Sequence, residues 1–150
     1  MPTDKTPSSA HQPVQPESDP RSKSQPDLDE EQLRPYVIVD VLFEDGLLFL
    51  AVQNIGARPA FEVKVRWEPS FRGLGGSQLT SDLPLFKALT FLAPGRCIRT
   101  LLDDSQAYFQ RDEPTQLAAL ISYKDDQRRS YRQTIQHNLE IYRDLVYPLP

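Results

Sequence analysis

Reactive side chains are scarce in this chain of 150 residues. Its single cysteine, Cys97, excludes an internal disulfide and any zinc site built on several thiolates. The two histidines are His11, set among prolines and serines, and His137, in a β-prone run, so few nucleophiles can have a base beside them. Long apolar runs are missing as well. The longest, "LLFLAV" at 47–52, falls far short of the ~20 residues that a membrane-spanning helix requires. The start, "MPTDKTPSSAHQ", holds no apolar leader segment. These absences set the expectation of a soluble, cytoplasmic protein without membrane insertion.

Excess charge of one sign is also lacking over most of the chain. Residues 1–34 carry four basic and seven acidic side chains, a net −3 out of the overall −4, so the remainder sits near −1. Such a near-neutral body argues against broad, sequence-blind nucleic-acid binding, which needs clustered cations, and leaves room for a small basic patch. A protein partner, not nucleic acid, is therefore expected.

Proline is abundant at the front: Pro2, Pro7, Pro13, Pro16, Pro20 and Pro26 stand among Ser, Gln, Asp and Lys. With almost no large apolar side chains, 1–34 cannot offset its ordering entropy, which predicts a disordered acidic tail. From Pro35 the texture changes to short β-prone runs. "YVIVDVLFE" (36–44) ends at Asp-Gly, a hairpin signal, and "LLFLAVQN" (47–54) follows. Phe61, Val63, Val65 and Trp67 alternate with Glu62, Lys64 and Arg66, the period of a strand with one wet face. Further strands are expected at 89–92, 97–102, 116–123 and 130–138, with a helical turn near "SDLPLFKA" that Ser81 or Asp82 would cap. "APGR" (93–96) has the Pro-Gly centre of a type II turn. Seven strands without a long amphipathic helix predict an all-β, Ig-like antiparallel sandwich over 35–150.

Between the second and third strands stands Asn54-Ile55-Gly56-Ala57-Arg58-Pro59. A phosphate loop needs convergent backbone N–H groups leading into a helix N-terminus. Here one glycine leads into a proline and then a strand, so the segment reads as a turn. Asn54 is expected to hydrogen-bond the turn backbone and Gly56 to take a strained dihedral.

Val52, Asn54, Gly56, Ala60, Val63 and Val65, followed by Leu92, Pro94, Gly95 and Ile98, form a pattern of strand ends and turns. This pattern resembles the bacterial immunoglobulin-like sandwiches of the CARDB (cell-adhesion-related) type. The resemblance implies a non-catalytic adhesive or spacer module, usually on exported proteins, from which the start of this chain departs.

Candidate chemistry is thin. Cys97 and His137 are the only thiol–imidazole pair in the β-rich part, and an Ig-like topology puts their strands in opposite sheets. The carboxylate runs Glu44-Asp45, Asp103-Asp104, Asp112-Glu113 and Asp125-Asp126 sit at expected turns, without the alternate spacing of a calcium loop. No catalytic residue, cofactor or metal ligand is assigned.

Alternating strand directions sort the loops into two poles. One gathers Glu44, Asp45, Asp103, Asp104, Asp112 and Glu113; the other gathers Arg58, Arg96, Lys124, Arg128 and Arg129, offset by Asp125 and Asp126. The basic pole is the candidate site for an acidic partner, since guanidinium forks suit carboxylates. Phe71, Tyr108 and Phe109 fall in loops at the acidic pole, where two of the three are expected to fold back over the core. The function expected is a non-catalytic interaction or scaffold module. The alternatives are a carbohydrate-binding sandwich, which needs an exposed aromatic row, and a hydrolase, which needs a pocket with two perturbed carboxyl groups. The first and last strands are left with edges open to another chain.

Overall fold

A computed structural model describes residues 33–145, and the compact unit begins at Arg34. The tail expected at 1–34 lies, up to residue 32, outside the described residues, as does 146–150. Seven antiparallel strands form two sheets. β1 (Val37–Glu44), β2 (Leu47–Asn54) and β5 (Cys97–Asp104) make a three-stranded sheet in the order β1-β2-β5. β3 (Ala60–Glu68), β4 (Leu89–Leu92), β6 (Gln116–Lys124) and β7 (Ser130–Asn138) make the other, in the order β4-β3-β6-β7. The fold is the all-β sandwich that the periodicity indicates.

The core lies between the sheets. Val37, Val39 and Val41 of β1, Leu48, Leu50 and Val52 of β2, and Leu102 of β5 face Val63, Val65 and Trp67 of β3 and Leu117, Ala119, Ile121 and Tyr123 of β6. Burying a side chain of this size contributes roughly 1.5–3 kcal/mol. Trp67 closes one end of this layer, edge-on to Phe71 at 5.1 Å and Phe86 at 5.6 Å between ring centres.

Turn chemistry sets the hairpins. Asp45 and Gly46 both have positive φ (53° and 79°), as a two-residue hairpin turn demands. Gly95 takes φ 78° in the Pro-Gly turn, closed by Arg96 N–H donating to Ala93 O at 3.0 Å. Gly56 corrects the expectation: it has no positive φ. Its need is space, because an added Cβ would lie 2.3 Å from Arg34 O and 2.5 Å from Tyr36 N.

Two further local expectations change. α1 (Pro84–Lys87) begins with Pro84 at its first position but has no side-chain cap. Ser81 instead accepts from Phe71 N–H at 3.1 Å, fixing the loop that buries Phe71. The fifth strand runs to Asp104, beyond the expected 102, because a register shift opposite Leu48 and Phe49 carries the ladder past the bulge. Asp104 then caps α2 (Ser105–Gln110) by accepting from Ala107 N–H at 3.0 Å.

The edge of β1, expected to be open, is closed by side chains from the other sheet. Val37, Val39 and Val41 turn their carbonyls away from β2; these accept from Gln133, from His137 Nε2 at 2.8 Å, and from the Tyr142 hydroxyl at 3.0 Å. Three bonds from β7 and the turn after it thus occupy what a foreign strand would use.

Candidate functional site

The outward side chains of the four-stranded sheet stand in rows set by its register. Lys64, Ser122 and Arg132 form one row, and Arg66, Leu120 and Thr134 the next. β4 pairs with β3 only from Ala60 to Val63, leaving the rest of that β3 edge to α1 and the turn before it. The result is a groove of about 850 Å³, floored by these rows and walled by Ser70, Ser81, Asp82 and Lys87.

Four cations line the groove, Lys64, Arg66, Lys87 and Arg132, against a single carboxylate, Asp82. Lys87 lies 3.3 Å from Asp82, and Arg66 lies 3.0 Å from Glu68 just outside. Both pairs are exposed, and exposed pairs are weak and exchangeable. Among the described residues Lys64 and Arg132 have no ion-pair partner. Strand alternation places two of these charges: once Val63, Val65 and Trp67 face the core, Lys64 and Arg66 must face out.

The five cations singled out at the basic pole do gather at one end of the sandwich, but four face acids already there. Arg58 lies 3.6 Å from Asp126; Lys124 and Arg128 share Glu62 at 3.5 and 3.6 Å; Arg129 binds Asp125 at 2.8 Å. Arg96 stands exposed in the Pro-Gly turn. Glu62 was read from sequence only as a wet-face residue. A positive φ of 51° and a register shift between Phe61 and Lys64 bring it to Lys124 and Arg128.

Asp125 is structural. It is 3 % exposed and accepts from Gln127 N–H, Arg129 N–H, the Arg129 guanidinium and the Tyr131 hydroxyl, all within 2.9 Å. Burial pushes its carboxyl up, but the bonds from Arg129, Tyr131 and Gln127 prevail and hold it below the usual carboxylate range. Asn54 is likewise saturated. Its carbonyl accepts from Tyr36 and Gly56 N–H at 3.1 and 2.9 Å, and its amide donates to Arg58 O and Leu92 O at 2.8 and 3.1 Å. The turn that begins at Asn54 is a staple between the two sheets.

At the acidic pole Asp103 is buried, 2.7 Å from Arg111, and both its oxygens face Gly75 N–H. Phe71 and Tyr108 fold into the core while Phe109 stays at its margin, as expected. The shifted carboxyls lie apart. Glu44 is held low by hydrogen bonds from Arg99, and Glu140, lowered to about 2, is held chiefly by Arg143. The groove takes in neither. Phe91, 51 % exposed, packs edge-on to Phe61, a single pair and not a row. Cys97 and His137 lie in different sheets, the first exposed and the second bound to Val39. Among the described residues no group of three His, Cys, Asp or Glu side chains is placed to hold a metal ion, and no helix is long and apolar enough to cross a membrane.

The model of the family described as Domain of unknown function (DUF8453) matches residues 14–143. No curated protein and no solved structure matches the chain.

Proposed function

We propose that this chain, which belongs to the DUF8453 family of domains of unknown function, is a non-catalytic interaction module of Ig-like type that holds an acidic segment of a protein partner. The Ig-like part is supported by the strand order, which differs from the seven-stranded constant-type arrangement in placing β4 beside β3 instead of β5. The CARDB-type resemblance, with its adhesive or spacer role, belongs to the same proposal.

One observation carries the partner's chemistry: Lys64, Arg66, Lys87 and Arg132 converge on one groove with a floor of Leu120, Ser122 and Thr134. Guanidinium and ammonium heads at the rim take carboxylates, and a shallow floor of small and aliphatic side chains takes the peptide between them. Lys124 occupies the next outward position along β6 from Ser122, so the strip continues toward the basic pole with Arg58, Arg96, Arg128 and Arg129. Arg58, Lys124 and Arg128 would join by exchanging their present acids for the partner's, and Arg96 directly, while Arg129 stays on Asp125.

Titration of a fluorescent Asp/Glu-rich peptide tests this. Binding is expected to weaken as salt rises, and Lys64→Glu with Arg132→Glu should weaken it by about a hundredfold. Reversal of Arg58, Arg96 and Arg128 should cost about tenfold, since Arg58 and Arg128 are already engaged. The proposal fails if the Lys64/Arg132 variant binds like the wild type, or if a single-stranded oligonucleotide of equal charge outcompetes the peptide.

A further inference from the structure

Each sheet ends in two edge strands, and three of these four edges are short or partly shielded. β1 is closed by side chains of β7 and the turn after it, and β4 is only four residues long. β5 is shielded at its far end by the loop between β3 and α1. Gly75 N–H donates there to Asp103, and a Cβ on Gly73 would lie 2.0 Å from Leu102 O. β7 differs. It runs nine residues in unbroken register with β6, from Ser130 opposite Lys124 to Asn138 opposite Gln116, and holds no proline, lysine or bulge. Those are the usual devices by which an edge is blunted.

The bonds that flank the β6–β7 ladder show which way its main-chain groups point. Asp125 N–H donates to Arg129 O at 3.0 Å at one end, and Leu139 N–H donates to Thr115 O at 2.7 Å at the other. Bonded and unbonded pairs alternate along an antiparallel ladder, so Tyr131, Gln133, Ile135 and His137 direct their N–H and C=O at β6. Those of Ser130, Arg132, Thr134, Gln136 and Asn138 point away from it, and nothing among the described residues bonds them. The same five residues are exposed. Arg132 is the only charged side chain of β7, and it has no ion-pair partner among the described residues.

We infer that this edge takes an extended segment of a protein partner, which adds a strand beside β7 and sets a carboxylate opposite Arg132. The added strand runs antiparallel, like every other pair of this sheet. A residue facing Arg132 stands about 5 Å from it between Cβ atoms, within reach of a forked bond. Main-chain bonds to Arg132, Thr134 and Gln136 hold the segment whatever its sequence, and side chains at alternate positions select it. Ile135, half-buried against the core, favours an apolar residue opposite it. A second copy of this chain is a poorer occupant. β7 contains no carboxylate, so β7 against β7 brings Arg132 no counterion in any register. Main-chain groups at the edge, and not the groove's cations, carry this binding, and only Arg132 belongs to both.

Fluorescence anisotropy with the full chain tests this. The probe is a labelled peptide matching β7 in its nine residues, alternating Thr and Val with a central Glu. N-methylation of its Thr and Glu amides, which face β7 in an antiparallel strand, should weaken binding by about thirtyfold; methylation of its Val amides should change it by under about threefold. Thr134→Pro removes an outward N–H and no ladder bond, so it should weaken the probe by about tenfold with an unchanged circular dichroism spectrum. The methylated peptides decide the matter even where that variant fails to fold. Lys in place of the central Glu should cost about tenfold on the wild type and nothing on Arg132→Gln. Lys64→Glu, which reads the groove, should leave the probe within about threefold, so either site can fail without the other. A probe that does not bind, equal effects of the two methylated sets, or a folded Thr134→Pro chain that binds like the wild type would each overturn the inference. So would a wild-type dimer that Thr134→Pro dissolves, which would give the edge to a second copy.

Discussion

The two sheets share one core and differ in the balance of apolar and cationic side chains on their outer faces. β3, β6 and β7 put Lys64, Arg66, Ser122, Arg132 and Thr134 into solvent, whereas β1, β2 and β5 put out Ile38, Leu42, Leu47, Phe49 and Leu101. The inner faces barely distinguish the sheets, since any set of close-packed aliphatic side chains satisfies a sandwich core. The outer faces are free of that demand, so they can differ without cost to the core. Under the proposed function, the four-stranded sheet's outer face would take the acidic partner.

The largest expected effect separates the inside of the three-stranded sheet from its outside. Leu50→Ala, in the core, should cost about 3 kcal/mol in urea unfolding, whereas Leu42→Ala on the same sheet's outer face should cost under about 1 kcal/mol. Equal costs would mean that the outer face is a second core layer. Asn54→Ala tests the staple between the sheets. Its removal frees two N–H groups and two carbonyls and should cost about 2–3 kcal/mol, and Asn54→Asp should not restore stability because a carboxylate cannot donate to Arg58 O and Leu92 O.

Asp125 adds a pH dependence confined to the four-stranded sheet's last hairpin. Its folded carboxyl is held below the unfolded value, so its contribution is present above about pH 4 and fades as pH falls through the lower folded value. Asp125→Asn should therefore lose about 1–2 kcal/mol at pH 7 and show a flatter loss of stability below about pH 4. An acid limb parallel to the wild type's would assign that limb to other carboxylates. Smallest of all, Lys64→Glu with Arg132→Glu should change unfolding by no more than about 0.5 kcal/mol. A large change there would make the groove cations structural and remove the distinction between the sheets.

Much of the fold was legible because its signals are local. Alternation from Phe61 to Trp67 fixes which side of β3 is wet, and Asp45-Gly46 and Pro94-Gly95 demand backbone shapes that few residues adopt. Gly56 was read correctly as a turn glycine for the wrong reason: the carbonyl that excludes a Cβ belongs to Arg34, more than twenty positions away. The basic pole was legible as a place but not in its pairing, because Glu62 reaches Lys124 and Arg128 through a bulge that periodicity conceals. The groove was not foreseen, though Lys64 and Arg66 were already on the wet face. Arg132 and Lys87 join them through strand register and the placing of α1, and no spacing in the chain encodes that convergence.

By itself, the amino-acid order determined the strands, their turns and the inward face of each, since those follow from side-chain periodicity and backbone sterics over a few neighbouring residues. Tertiary structure alone decided which outward residues became neighbours. Asp40, Ala51 and Arg99 share a row, and Lys64 meets Arg132 across Ser122, only because hydrogen-bonded ladders bring distant segments into register.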